Sequence, residues 1–214
     1  MLDTFLEAVG RGEVKRNNLK TVTTKAIYTS RMNDLLVPPK AELKFPQADF
    51  TELVYPRLQN RALEVRQRDL LFSLTHGIYR NRARLFLQNR AEDNLCPNPA
   101  CKRENLVQDI EHLFCTCYKV RAAWGWTKSK LLELLRDQGR PPDIQNMDFI
   151  LAMFPRSRHD VECTLILGTF VELVDREIVM KHKDLLVNTV VGVLRNKLEY
   201  AKKRAVPQVQ FTLP

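Results

Sequence analysis

The sequence predicts an all-α, mainly helical protein, with a small Cys/His loop module in its middle and a C-terminal helical bundle. Three observations carry this expectation. Apolar residues recur at helical spacing along much of the chain. Prolines and Gly/Asn turns punctuate those runs. Four of the 5 cysteines fall between positions 96 and 117.

Taken in order, residues 1–18 read as a short helix that ends at Gly10-Arg-Gly12 and Asn17-Asn18. A second helix over 19–36 stops at Pro38-Pro39, because proline removes a helix donor and restricts its neighbour. Residues 37–58 read as a proline-rich connector. A helix over 59–78 places Leu63, Leu70, Leu74 and Ile78 on one face and Arg61 and Arg68 on the other, and Gly77 breaks it. Asn81 is placed to cap a shorter helix from Arg82 to Asn89. The cysteine cluster follows, with hairpin strands at most. An amphipathic helix over about 118–137 carries Trp124 and Trp126, of which only one can face inward. Gly139-Arg-Pro-Pro142 stops it. Segments 160–181 and 184–204 are the last two helices. The first is apolar nearly all round, the mark of a buried helix. The second ends in Lys202-Lys-Arg204, cations suited to the negative end of a helix. Pro207 and Pro214 bracket a tail. The expected domains are 1–58, 59–137 and 138–214.

The chain has 214 residues, of which 44% are hydrophobic, enough for a core. With 34 Lys plus Arg against 25 Asp plus Glu, its formal charge is +9. That surplus favours polyanions, since each neutralised phosphate releases a counterion. An odd cysteine count argues against a closed disulfide framework. No apolar run has the length of a membrane span, and the start lacks signal-peptide features. The expectation is an intracellular protein, in nucleus or cytoplasm, without a membrane partner.

The cysteine segment reads Cys96-x4-Cys101-x10-His112-x4-Cys117. Zinc takes four N or S donors at tetrahedral corners, and ligand pairs a few residues apart supply them from two turns. Pro97 and Pro99 stiffen the first pair. Four protein ligands leave no open position, so one structural Zn²⁺ is expected at Cys96, Cys101, His112 and Cys117. Cys115 competes with Cys117 as fourth ligand. The plain alternative is a buried cluster of reduced cysteines. Cys163 and His76 are remote in sequence and read as core or surface residues.

These residues also resemble a known family. Arg68-Asp-Leu-Leu-Phe-Ser-Leu-Thr-His-Gly77, Asn81-Arg-Ala-Arg-Leu85, the Cys96-Pro/Cys101 pair, and Ile110-Glu-His-Leu-Phe114 with Cys117, Trp124 and Trp126 resemble the zinc-binding domain downstream of the reverse transcriptase in non-LTR (LINE-like) retrotransposons. Segments 26–40 and 167–172 resemble the flanking helices. The first pair is more widely spaced than the family's usual x2. Tyr118 stands where a proline often follows the last cysteine. No Asp-Asp polymerase signature occurs. The resemblance implies an accessory piece without its own polymerase.

Arg61, Arg68, Arg80, Arg82, Arg84 and Arg90 crowd the approach to the cysteine segment. Their planar forks suit phosphate, and Arg80 and Arg84, four apart, would share a helix face. The expected partners are RNA or DNA, held by the backbone, and a reverse transcriptase core. A solvated basic face is the plain alternative. An interaction scaffold docking to a polymerase core is the competing function. An enzyme is not expected: Asp143 lacks the acidic-x-Lys partner of a metal-dependent nuclease, and no Gly-rich phosphate loop is present. No small-molecule substrate is implied.

Overall fold

The helical periods of the sequence become eight α-helices among the residues that the computed structural model describes, 50–136 and 144–203. A π-helical turn at Phe50–Val54 leads into α1 (Tyr55–Leu58). Then come α2 (Val65–Thr75), α3 (Arg82–Leu87) and α4 (Pro99–Arg103). A second π-helical turn, His112–Thr116, precedes α5 (Arg121–Leu135) and α6 (Asn146–Ile150). Helix α7 (Asp160–Leu173) runs on into a π-helical segment, Val174–Met180, and α8 (Val187–Lys203) follows. No strand forms among the described residues, where Leu95 and Val107 make a lone antiparallel bridge. The expected helices over 1–18 and 19–36, the Pro38-Pro39 and Gly139–Pro142 stops and the tail beyond Pro207 lie outside the described residues.

Helix α7 is the centre of the fold. Its sequence offers water almost nothing, and Glu162 through Val171 are all buried. A helix without a polar face must be covered on every side. Here α1, α2, α5, α6 and α8 pack around it. Helix α2 comes close because position 168 is glycine. A Cβ there would sit 2.6 Å from Leu63 Cδ2 and 3.5 Å from the Gln67 Cβ. Gln67 is buried and donates to Glu172 Oε2 at 3.1 Å, while Lys197 on α8 reaches Glu172 at 2.9 Å and Glu64 at 2.6 Å. No described helix is long and apolar enough to cross a membrane.

Arg57 fastens α1 to the other end of α7. Its side chain is 1% exposed. It donates to Asp160 Oδ1 at 2.5 Å and to the carbonyls of Ala152 and Phe154 at 2.7 and 2.6 Å, with its guanidinium 4.0 Å from the Phe154 ring centroid. A buried guanidinium is tolerated only when its donors are met and its charge is paired. Ala152 holds a left-handed backbone, φ 57°, and that conformation turns its carbonyl toward Arg57.

Three expectations are corrected. The helix expected over 59–78 occupies only Val65–Thr75. The Asn60 side chain accepts from the Ala62 N–H at 2.9 Å and holds 59–64 as a turn, the usual competition between Asn and helix. Gly77, at φ 63°, ends the helix as expected, so Ile78 no longer follows the helical count and is 49% exposed. The buried face is Gln67, Leu71, Leu74 and Thr75. The principal neighbour of α2 is α7, whereas the expectation placed it against the cysteine loop and the Trp124 helix.

Replacing Arg57 with Ala strands two buried carbonyls and leaves Asp160 without its partner. The expected loss is about 3 kcal/mol in urea unfolding, and a loss near zero would remove Arg57 as a fastening. Glycine substitutions should split by environment. Gly168→Val is expected to cost ~1–3 kcal/mol through overpacking. Gly192→Ala, where a Cβ meets nothing within 4 Å, should gain ~0.5–1 kcal/mol. Paired unfolding midpoints check both signs.

Candidate metal centre

Two short loops build the cluster. In the first, the Cys96 N–H donates to the Leu106 carbonyl at 2.8 Å and the Gln108 N–H to the Asn94 carbonyl at 2.9 Å, closing a narrow hairpin. Inside it, Asn98 caps α4 by accepting from Ala100 N–H at 3.1 Å, with Pro99 in the first turn. This is the standard Asn-cap, proline-start combination. Helix α4 carries Cys101 back toward Cys96. Asn105, at φ 54°, turns the chain home. In the second loop, the Asp109 carboxylate accepts from the His112 N–H at 2.7 Å and starts a helical turn.

That turn is π-helical, and the distinction selects the ligand. Residues five apart lie about 140° from each other on an α-helix, which would turn His112 and Cys117 away from one another. Here the Cys117 N–H donates to the His112 carbonyl at 2.8 Å, the i to i+5 bond of a π turn. The wider turn brings both side chains to one side. Cys96, Cys101, His112 and Cys117 are all buried, and their ligand atoms lie within 4.8 Å of one another. Cys115 is buried outside the cluster, and burial pushes its thiol up. The choice between Cys115 and Cys117 is therefore made by backbone geometry.

The spacing fits an ion. Cys117 Sγ is 3.8 Å from Cys96 Sγ and 3.8 Å from Cys101 Sγ. A tetrahedron with metal–sulfur bonds of about 2.3 Å has an edge of about 3.8 Å. His112 is oriented for the same purpose. Its Nδ1 lies 3.2 Å from Thr116 Oγ1, while its Nε2 is buried without any hydrogen-bond partner. A ring that donates from one nitrogen presents a lone pair on the other, which is how ligating histidines are held. A metal ion would satisfy that buried lone pair. Hydrogen bonding from Cys96 draws the Cys117 sulfur down to about 5, making it the first thiolate of the set, and burial raises Cys101. Gln108 Nε2, 4.0 Å from Cys96 Sγ, adds a donor to the sulfur cage.

Aromatic contacts join the centre to the helical core. Phe114 meets Tyr79 edge-on at 5.3 Å, and the Tyr79 hydroxyl donates to Asp175 Oδ1 at 2.9 Å. Trp124 packs against Phe170 at 5.3 Å and donates to Asn146 Oδ1 at 3.1 Å. Trp124 is the core tryptophan, and Trp126 is half-buried.

The expected basic residues are divided among different cavities. Arg61 and Arg68 line a groove between α2 and α8. Arg80 and Arg82 line a cavity of about 260 Å³ beside the metal centre, whose walls include Cys96, Cys117, Lys119 and His182. Arg82 is partly spent on Asp93 at 2.8 Å, a bond that holds the Asp93 carboxyl below its usual range. Arg84 donates to the Gly77 carbonyl. Arg80 precedes the Asn81 cap, so it shares no helix face with Arg84. Arg90 is exposed beyond α3. Reasoning from sequence missed Thr116, Gln108 and Lys119. The only signal for Thr116 was its position four residues after His112. No family model, curated protein or solved structure matches the chain.

Protein purified without added metal should contain about one divalent ion per chain. His112→Ala and Cys117→Ala should each abolish that content and lower the melting temperature, whereas Cys115→Ser should leave metal content unchanged. Protons compete for the thiolates and the imidazole, so metal should be lost as pH falls and retained at neutral pH. Elemental analysis across pH checks each point. Equal metal loss in Cys115→Ser would contradict the ligand set.

Proposed function

We propose that this chain is an accessory nucleic-acid-binding module stapled by one structural Zn²⁺, of the kind found downstream of the reverse transcriptase in non-LTR retrotransposons, and that it works without catalysis. The observation that carries the reading is the pairing of a four-ligand Cys/His cluster with a basic cavity on its flank. Three sulfurs and one imidazole suit Zn²⁺ over harder ions. Four protein donors fill its coordination, so the ion acts as a cross-link. Zinc with three thiolates carries a net single negative charge. Arg80 and Lys119 stand on the cavity wall beside it and supply the cationic face that a phosphate backbone requires. The +9 charge of the chain adds long-range attraction. The motifs of segments 60–126 supply the retroelement context.

A second reading has an observation of its own. Helix α3 has no buried residue, and it exposes Phe86 by 42% and Leu87 by 81%. Such a face favours docking to another protein, and the partner in this reading is a polymerase core.

Binding of a labelled 20-nucleotide RNA, followed by anisotropy at two salt concentrations, tests the first reading. The wild-type chain should bind with strong salt dependence. Arg80→Glu, at an exposed position, should weaken binding by about threefold to tenfold with zinc content and melting unchanged. Unaltered affinity in this variant at low salt would take the cavity out of the reading. Absence of salt-sensitive binding to RNA or DNA by the wild-type chain would leave the docking role.

A further inference from the structure

A second cavity lies between the start of α2 and the last turns of α8, with a volume of about 690 Å³. That size is within the range of small organic ligands. Its apolar lining comes from Leu63, Leu165 and Val193. Leu63 and Leu165 are core residues.

The polar part of the wall is cationic, and its cations differ in how they are used. Lys197 is neutralised, lying 2.6 Å from Glu64 and 2.9 Å from Glu172. Arg61 and Arg68 have no hydrogen-bond or ion-pair partner among the described residues. The Nε of Arg68 is buried and unpaired. A buried N–H without an acceptor is costly, and an anionic oxygen would satisfy it. Two guanidiniums on the wall of one cavity suit a phosphate, because each fork can donate two parallel hydrogen bonds to phosphate oxygens. Two other side chains of the wall suit a planar ring. Tyr200 is 53% exposed and lines this cavity. Asn196, also exposed, carries both a donor and an acceptor for a base edge.

We propose that this cavity binds one nucleotide unit, with the phosphate on Arg61 and Arg68 and the base against Tyr200. The unit is either a free nucleoside monophosphate or one residue of a single strand. In the second case the inference rests on the nucleic-acid reading above and adds a contact remote in sequence from the metal centre. Backbone clamping with aromatic stacking is a sequence-tolerant way to hold unpaired bases.

The test uses the zinc-loaded full chain and three probes: inorganic phosphate, uridine monophosphate and a labelled decauridylate strand. Arg61→Gln, at an exposed position, should weaken the nucleotide-bearing probes by about fivefold or more without loss of fold, and Arg68→Gln should do the same where circular dichroism is unchanged. Tyr200→Leu should weaken the strand by about tenfold and leave phosphate binding alone, while Tyr200→Phe keeps full affinity. Loss of monophosphate binding in Arg61→Gln with strand binding intact would assign the cavity to the free nucleotide. Unchanged affinity for both nucleotide probes in Arg61→Gln and Tyr200→Leu overturns the proposal. The nucleic-acid reading then still stands or falls on salt-sensitive binding of the 20-nucleotide RNA by the wild-type chain. A wild-type chain that binds neither nucleotide probe overturns it as well.

Discussion

Burial of α7 is the constraint from which the rest of the structure follows. A fourteen-residue helix with no polar face is stable only if other segments remove it from water. Each neighbour meets that demand differently. Helix α2 approaches over Gly168, where a side chain would collide with Leu63. Helix α5 brings the Trp124 ring against Phe170, and α8 presents Val190, Leu194 and Leu198 on one stripe. Two of the polar side chains trapped in the centre are bonded there: Thr164 donates to the Asp160 carbonyl at 2.7 Å and Gln67 reaches Thr169 at 3.4 Å. Arg57 then closes the end where α7 begins.

The metal loops contribute little to that core. Helix α4 buries one residue, Cys101, and α3 buries none. A hairpin with a lone bridge and two short helices does not cover enough apolar area to hold itself together. A metal ion held by Cys96, Cys101, His112 and Cys117 would supply what the area cannot, since metal binding free energy becomes folding free energy. Its position follows from the core. Phe114 and Cys115 point away from the ligands and into the protein, and Tyr79 with Asp175 pins Phe114 from the far side. The π turn and the residue after it therefore divide two tasks, placing His112 and Cys117 in the cluster and burying Leu113 and Phe114.

The clustering of Cys96, Cys101, His112 and Cys117, the central helix and the Asn81 cap were legible in the sequence because each has a local signature: Cys/His spacing, all-round apolarity, a capping residue before a helical run. The elements that were misread lack one. Leu63 stands at helical spacing from Leu70, yet the Asn60 side-chain bond holds it in a turn. Arg57 has no periodic signal at all, because its role exists only when the Ala152–Asp160 segment folds onto it. Arg82 and Arg84 read as free cations, and folding ties them to Asp93 and Gly77. Local chemistry is written in order along the chain, whereas these contacts depend on residues that become neighbours only after collapse.

The use of charge shows why the total of +9 says less than its distribution. Arg57, Arg66, Arg82 and Lys197 lie in ion pairs with Asp160, Asp175, Asp93 and Glu172. Their charge is consumed at short range and contributes little field to solvent. Arg61 and Arg68 are not matched in this way among the described residues, and they stand at a cavity whose wall includes Leu63, Leu165 and Val193. A low-dielectric wall strengthens the interaction of a bound anion with the cations beside it. Arg80 is placed differently, between solvent and a sulfur cluster that is itself negative when zinc is bound. An anion there gains attraction from Arg80 and Lys119 and meets repulsion from the thiolates behind them, so that site favours a diffuse backbone contact over deep capture. Under the proposed nucleic-acid reading, the two basic regions would therefore take different parts of one polyanion, the first a held unit and the second the passing chain.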